Sequence, residues 1–506
     1  MTGLSGSARR SVYSGLVWSA TSAGGQSLLQ IVVLIVLARL LAPAEFGVAS
    51  ATMVVSGLGI VFSKLGIGQS IIQRATLEPA HIESGFILSM LLGVALGSAV
   101  FVGAGAVADA FRMPQLVPYI QLIALTFPVV GLSIVAESLL TRELKFRALA
   151  LIELVSYLIG YGVVAVVLAL LGYGALALVL GSVGRMCLRT ALITYVHPHP
   201  VGFRLSPKES KEMLYFGGGQ TLARIGNFIA LEGDNFVAGR WLGAEALGLY
   251  SRAYKFAMLP AVVAATALDR VLFPAMSRFQ HDPVFLWGWF RRGSVVLAIA
   301  IAPVSAVAIV LAPEIIEVVL GPAWMAMVLP FQILCMGGPF RASCRMSDSL
   351  ARAMGAVYRR AWRQAIYAGC VILAAWIGQH SGIAGIAVGV LCALIINFLL
   401  MTQLSMSLVS GSWRTFLLAH WPALVVSLAF ALPALGLATV LRSMQHAPVL
   451  VLTAVTGGML AIAMALVVWK PRALLGEDGL WLLGNLRPPR AEPAASPDEQ
   501  LGARAD

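Results

Sequence analysis

The chemistry available to this sequence lies in charged side chains set within stretches otherwise apolar enough to cross a membrane. Gln220, Arg224, Asn227, Leu231 and Asp234 recur at steps of three or four residues, so a helix through them carries one mostly polar stripe. Arg252 and Lys255 stand three apart near the outer end of the next apolar stretch, beside Tyr250 and Tyr254. Arg341, Arg345, Asp348 and Arg352 follow at i, i+4, i+7 and i+11, a single helical face. A charge in hydrocarbon costs at least ~2.5 kcal/mol, so these groups should face a cavity or a partner. Arginine stays charged when partly desolvated and offers paired donors to phosphate oxygens. The reading that follows is a water-filled, cationic lumen that receives an anionic headgroup such as a diphosphate.

The alternative is internal pairing, Asp348 with Arg345 and Asp234 with Arg252, while Arg352 marks the cytoplasmic boundary. Glu232, Asp234 and Asp348 are intramembrane acids of the kind that can carry a coupling proton or sodium ion. Glu137 and Glu153 fall at helix ends near Arg142, Lys145 and Arg147 and are expected to form boundary ion pairs there. Gly217-Gly218-Gly219 lacks the GK[ST] of a phosphate loop and reads as a helix start. The five cysteines have no CxxC spacing and read as buried hydrophobes. His197 and His199 sit in a His-Pro-His-Pro turn that cannot hold a helical metal geometry, and no metal site or cofactor is expected.

The elements that must position these groups are transmembrane helices. With 59% hydrophobic and 11% charged residues and a mean hydropathy of +0.88, the chain holds less than half the charge of an average soluble domain, roughly 25%. A span takes ~20 apolar residues, and suitable stretches recur from 12 to 38, 46–63, 85–108, 118–140, 148–171, 175–196, 214–238, 246–274, 295–311, 324–350, 366–378, 383–405, 416–441 and 449–469. The expected fold is therefore an all-α polytopic membrane protein of about 14 transmembrane helices. The first stretch is too long for a signal-peptide core, so it is expected to be a retained span, with Arg9-Arg10 a positive anchor. Gly57, Gly59, Gly93, Gly97, Gly103 and Gly105 read as helix-packing surfaces.

Lys and Arg concentrate in alternate connections, which places both termini in the cytoplasm and leaves only Arg39, Arg112, Arg240 and Arg442 outside. The net charge of +12 belongs to this asymmetry and to anionic lipid headgroups, not to nucleic acid. One internal repeat is visible, because Arg39-Leu-Leu-Ala-Pro-Ala-Glu-Phe-Gly47 aligns without gaps on Arg240-Trp-Leu-Gly-Ala-Glu-Ala-Leu-Gly248. Its spacing sets out two parallel six-helix lobes, 1–200 and 201–412, followed by two additional helices over 413–470 and a cytoplasmic tail over 471–506 that is largely disordered.

The stretches Gly15-Leu-Val-Trp18, Gly25-Gln26, Leu37 to Gly47 and Leu65-Gly-Ile-Gly-Gln-Ser-Ile-Ile-Gln-Arg74, with Leu242 to Tyr254 and Val271-Leu-Phe-Pro-Ala-Met-Ser-Arg278, carry a family likeness. They resemble the polysaccharide transport (oligosaccharide flippase, Wzx-like) family of the multidrug/oligosaccharidyl-lipid/polysaccharide exporter superfamily. The resemblance implies alternating access and transfer of a polyprenyl-diphosphate-linked oligosaccharide repeat unit from the cytoplasmic to the periplasmic leaflet of a bacterial inner membrane. It also implies a polysaccharide polymerase and chain-length machinery as partners. On that reading Arg224, Arg341 and Arg345 capture the diphosphate, Gln220, Asn227, Tyr250 and Tyr254 meet the sugar, and Arg252 and Lys255 guide the headgroup outward. A drug exporter of the same superfamily would present fewer arginines. A membrane glycosyltransferase, polymerase or ligase would need a sizeable outside loop, and the outside connections here are short.

Overall fold

The computed structural model describes residues 25–26, 29–64, 66–74, 76–198 and 207–469, and all regular structure among them is helical. Helix α1 covers Leu29–Leu40, α2 Pro43–Lys64 and α3 Ile67–Gln73. Next come α4 (Pro79–Val102), the short α5 (Ala104–Phe111), a 3-10 turn opening at Pro114, α6 (Val117–Ala124) and α7 (Thr126–Arg142). One span follows as α8 (Phe146–Val155), a π-helical segment (Ser156–Val163) and α9 (Val164–Leu170), and then α10 (Ala175–Val196). The long α11 runs over Pro207–Arg278 and is broken at Gly243, whose φ of 88° interrupts the helix between the two spans expected there.

The elements from α12 (Pro283–Val310) onward open in the same order as those from α4. Helix α12 leads to the short α13 (Ala312–Val319), a 3-10 segment opening at Pro322, α14 (Val328–Met336) and α15 (Gly338–Ala353). The chain continues through α16 (Val357–Gly378), α17 (Gly382–Val409), the short α18 (Trp413–Ala419), α19 (Trp421–Ser443) and α20 (Pro448–Trp469). Among the described residues, nine helical stretches are long and apolar enough to cross a membrane, or ten when a bent pair counts as one span. That pair covers the stretch expected as one span over 324–350 and is bent within it. Its 43° bend falls where Gly337, Gly338 and Pro339 loosen the backbone and remove a donor. The segments 12–24 and 471–506 lie outside the described residues.

These elements form two compact units. Unit one holds the described residues up to Leu259 with Leu311–Gly337 and Val357–Leu400; unit two holds Pro260–Val310, Gly338–Ala356 and the chain from Met401. In unit one, α4 crosses α7 on small residues. A β-carbon on Gly93 would lie 2.7 Å from the Phe127 carbonyl oxygen, and one on Gly97 2.9 Å from that of Ala124. Gly105 differs from expectation, since it faces open space. Two of the cysteines do as well: Cys335 and Cys344 are buried, but Cys187 and Cys392 are exposed. In a membrane span an apolar side chain is as stable against lipid as against protein, so hydrophobicity alone does not assign burial.

Three of the four arginines expected outside close helix ends. Arg39 donates to the last carbonyls of α13, Val318 and Val319. Arg240 donates to Ala110 at the end of α5, and Arg442 to Val310, the last residue of α12, at 2.8 Å. A cation at a helix C-terminus satisfies carbonyls that have no partner within the helix and meets the negative end of its dipole. Arg142 does the same for α3, donating to Ile71 at 2.8 Å and Arg74 at 2.6 Å. Arg142→Gln is expected to cost on the order of 2 kcal/mol, since hydrogen bonds from a charged donor contribute ~1.5–3 kcal/mol each when partly buried. An unchanged thermal midpoint of the detergent-solubilised variant would show that these caps contribute nothing.

The two copies of the repeated motif meet each other within unit one. Ser50 and Ser251, 201 residues apart and equivalent in the repeat, share a hydroxyl hydrogen bond of 3.1 Å. A β-carbon on Gly47 would collide with the carbonyl oxygen of Ala244, and one on its counterpart Gly248 with that of Pro43, the counterpart of Ala244. The contact is thus reciprocal, as at a two-fold axis.

Candidate functional site

Unit one holds a half-open cavity of about 550 Å³ whose charged lining consists of Arg185, Arg189, Arg252, Lys255 and Glu153. Its wall is set by the π-helical segment. Gly160 of that segment and Gly184 of α10 let the two backbones touch, a β-carbon on Gly160 lying 2.7 Å from the Arg185 α-carbon. The wider π turn stacks Tyr157 on Tyr161, ring centroids 5.1 Å apart, and the Arg185 guanidinium lies 5.3 Å from the Tyr157 centroid. Both tyrosines line the cavity, an arrangement of the kind π-bulges often serve at functional sites.

The cations of α10 and α11 differ in their partners. Arg185 and Arg189 both bind Glu153, Arg189 Nε at 2.9 Å from Oε2, and Arg189 also reaches Glu137 at 3.0 Å. This corrects the boundary pairs expected for Glu137 and Glu153: helix rotation turns both acids toward α10. Arg252 donates to Ser50 Oγ at 3.2 Å and stands 5.1 Å from the Phe46 ring centroid. Its Nε is buried without a hydrogen-bond partner among the described residues. Lys255 is exposed into the cavity. Among the described residues neither Arg252 nor Lys255 forms an ion pair. Arg252 lies nine residues, about 13 Å along a helix, from the break at Gly243. Two neighbouring cations that pair with no carboxylate among the described residues thus stand in this cavity with donors suited to an anion.

The other residues singled out in the sequence are distributed as follows. Arg224 lines a smaller cavity of about 130 Å³ with Gln69, Glu137 and Thr141, and Glu137 connects the two spaces through Arg189. Asn227 is exposed on the same helix, and the Gln220 side chain lies outside the described residues. Tyr250 is fully buried and donates to Asp234 Oδ2 at 2.7 Å, so Asp234 does not neutralise Arg252 as the pairing reading expected. Asn235 Nδ2 donates to Glu232 at 2.8 Å, and Tyr254 lies 6.3 Å from Tyr250 between ring centroids. In unit two, Asp348 pairs with Arg352 at 3.3 Å, while Arg341 is half-buried and Arg345 exposed on α15.

Sequence reading passed over Arg185, Arg189, Glu153, Tyr157 and Tyr161 as site residues. The signal was present, since Arg185 and Arg189 stand at i and i+4 within the apolar stretch 175–196, the pattern used to select Arg341 and Arg345.

A family model described as polysaccharide biosynthesis protein matches residues 36–329. The lipopolysaccharide biosynthesis protein WzxC of Escherichia coli (strain K12) is 27% identical over 440 residues, 84% of this chain and 89% of its own length. The succinoglycan biosynthesis transport protein ExoT of Rhizobium meliloti (strain 1021) is 26% identical over 497 residues, 96% of this chain and 98% of its own. Among solved structures, the lipid II flippase MurJ in an inward closed conformation superposes with a TM-score of 0.70 at 16% identity, covering 82% of this chain and 93% of that one. An inward-facing multidrug resistance MATE family transporter of the MOP superfamily gives 0.57 at 18% identity, covering 76% and 96%. At these identities the two structures establish a shared fold.

Proposed function

The chain belongs to the polysaccharide biosynthesis protein family, within the multidrug/oligosaccharidyl-lipid/polysaccharide exporter superfamily, and from that premise we propose that it flips a polyprenyl-diphosphate-linked oligosaccharide repeat unit between the leaflets of the inner membrane. It is a multi-pass inner-membrane transporter and not an enzyme. The observation that carries the substrate reading is the pair Arg252 and Lys255, cations without a carboxylate partner in a cavity that also presents stacked tyrosines. A diphosphate supplies the missing negative charge, and sugar hydroxyls find hydrogen-bond partners there that hydrocarbon cannot give, at several kcal/mol each. The lipid tail remains in the bilayer.

In this scheme Arg252 and Lys255 hold the diphosphate, Arg224 receives it from the smaller cavity, and Tyr157 and Tyr161 form a platform for the first sugar. Gln220, Asn227 and Tyr254 extend the polar surface along α11. Arg341 and Arg345 serve as anion contacts of unit two. Asp234, held by Tyr250, carries a coupling proton or sodium ion, with Glu232 and Asp348 as further acids. The architecture proposed is two parallel six-helix lobes, 1–200 and 201–412, with two additional helices over 413–470, about 14 spans in all. Both termini and the tail over 471–506 are cytoplasmic, and transport proceeds by alternating access. A polysaccharide polymerase and chain-length machinery take up the product.

Deleting the protein and extracting lipid-linked intermediates tests this function. The expected result is single completed repeat units facing the cytoplasm. Repeat units facing the periplasm would place the protein after the transfer step and overturn the assignment.

A further inference from the structure

We propose that Glu153 sets how tightly the cationic cavity of unit one holds a diphosphate, by keeping Arg185 occupied so that the substrate can leave. This role rests on the flippase reading and adds a positioning residue to it, one that acts through Arg185 and not by touching the substrate.

Among the described residues lining the cavity, Glu153 is the single acid beside Arg185, Arg189, Arg252 and Lys255. Each of its carboxylate oxygens takes a different arginine. Oε1 accepts from Arg185, with the Gln26 amide as a neutral second donor at 3.4 Å, and Oε2 accepts from Arg189 Nε at 2.9 Å. The two arginines are not equivalent. Arg189 has a second carboxylate in Glu137, at 3.0 Å, whereas among the described residues Glu153 is the one ion-pair partner of Arg185. Arg185 lies over the Tyr157 ring, and both it and Arg252 act electrostatically on Tyr157 and Tyr161. The charge that Glu153 cancels therefore stands beside the place assigned to the diphosphate and the first sugar.

A diphosphate esterified at both ends carries one negative charge on each phosphate, which Arg252 and Lys255 match. A third uncompensated guanidinium would add binding throughout the transport cycle. Uniform binding of that kind does not speed transfer, and it slows dissociation. Glu153 prevents this because a guanidinium fork accepts a carboxylate or a phosphate in the same way. The pair is also open to exchange. The Glu153 and Arg185 side chains are 24% and 34% exposed, and ion pairs in contact with solvent are weak.

The test uses a polyprenyl diphosphate bearing one neutral hexose and the purified full chain. Native mass spectrometry reads its binding, and proteoliposomes read the transfer of a fluorescent form between leaflets. Glu153→Gln, which removes the charge and keeps the size, is expected to lower Kd roughly tenfold and to lower the maximal transfer rate by a similar factor. Glu153→Gln/Arg185→Gln removes both members of the pair and is expected to return both quantities to within about threefold of wild type. A residue that only supported the fold would weaken binding when lost, and losing its partner would not rescue it. If Glu153→Gln does not fold, the same step is read from Arg185→Gln, where removing Glu153 is expected to restore the affinity that the single variant loses. Unchanged or weaker binding on removal of Glu153, in a protein whose wild type binds and transfers the probe, overturns this role and leaves the flippase reading standing. A wild type that does not bind the probe overturns both.

Discussion

Replacing Arg252 and Lys255 together by glutamine is expected to abolish surface polysaccharide while leaving the amount of protein in the membrane near normal. Each cation is expected to contribute a charge-assisted interaction of ~1.5–3 kcal/mol to the diphosphate. Their joint loss weakens binding by roughly two to four orders of magnitude. The fold tolerates the change for a structural reason. Arg252 is held by one hydroxyl hydrogen bond and an aromatic contact, and Lys255 is exposed into the cavity. Removing two like charges three residues apart also relieves their mutual repulsion. The single conservative change Lys255→Arg, which keeps the charge, should retain most of the activity. Surface polysaccharide above half the wild-type level in the double variant, with the protein inserted, would remove these residues from the substrate site.

The second large effect concerns the reciprocal contact of the repeated motif. Gly47→Ala is expected to destabilise the protein by about 3 kcal/mol, at the upper end of what overpacking usually costs. The added methyl meets the backbone carbonyl of Ala244, and no side-chain rotation can relieve that clash. Gly248→Ala should behave alike through Pro43. The informative measurement is the double variant. The two clashes lie on the same pair of crossing segments, so once one methyl has forced them apart the second finds the space already open. The combined loss in thermal midpoint should be well below the sum of the single losses, a coupling expected only of neighbouring sites. Additive losses would mean that the two glycines do not report one shared contact.

How far the site was legible can be followed through particular residues. Arg252 and Lys255 stood out because a charge in an apolar run is conspicuous whatever surrounds it, and the structure places both in the cavity. Glu153 was just as visible, yet proximity in the sequence assigned it to Arg147 and its neighbours when its partners are Arg185 and Arg189, more than 30 residues away. Tyr157 and Tyr161 lie inside the apolar stretch 148–171, where nothing in the sequence singles them out. Only the π-helical turn brings them into a stack. The repeat of Arg39 to Gly47 at Arg240 to Gly248 was readable as an alignment, but nothing in an alignment indicates that the two copies touch.

The sequence by itself determined the helical membrane class, the bounds of spans such as 148–171 and 175–196 to within two residues, and the helix break between 238 and 246. These follow from the length of apolar runs and the placement of Gly and Pro, quantities that act over one or two turns of chain. The tertiary structure alone decided which charges pair with one another. Ion pairing is settled within a few ångströms by the rotation of each helix about its axis, and that rotation is set by packing such as Gly160 on Gly184 and Gly47 on Ala244. Hydropathy does not encode it, because lipid and protein neighbours are equally apolar to a side chain in a span.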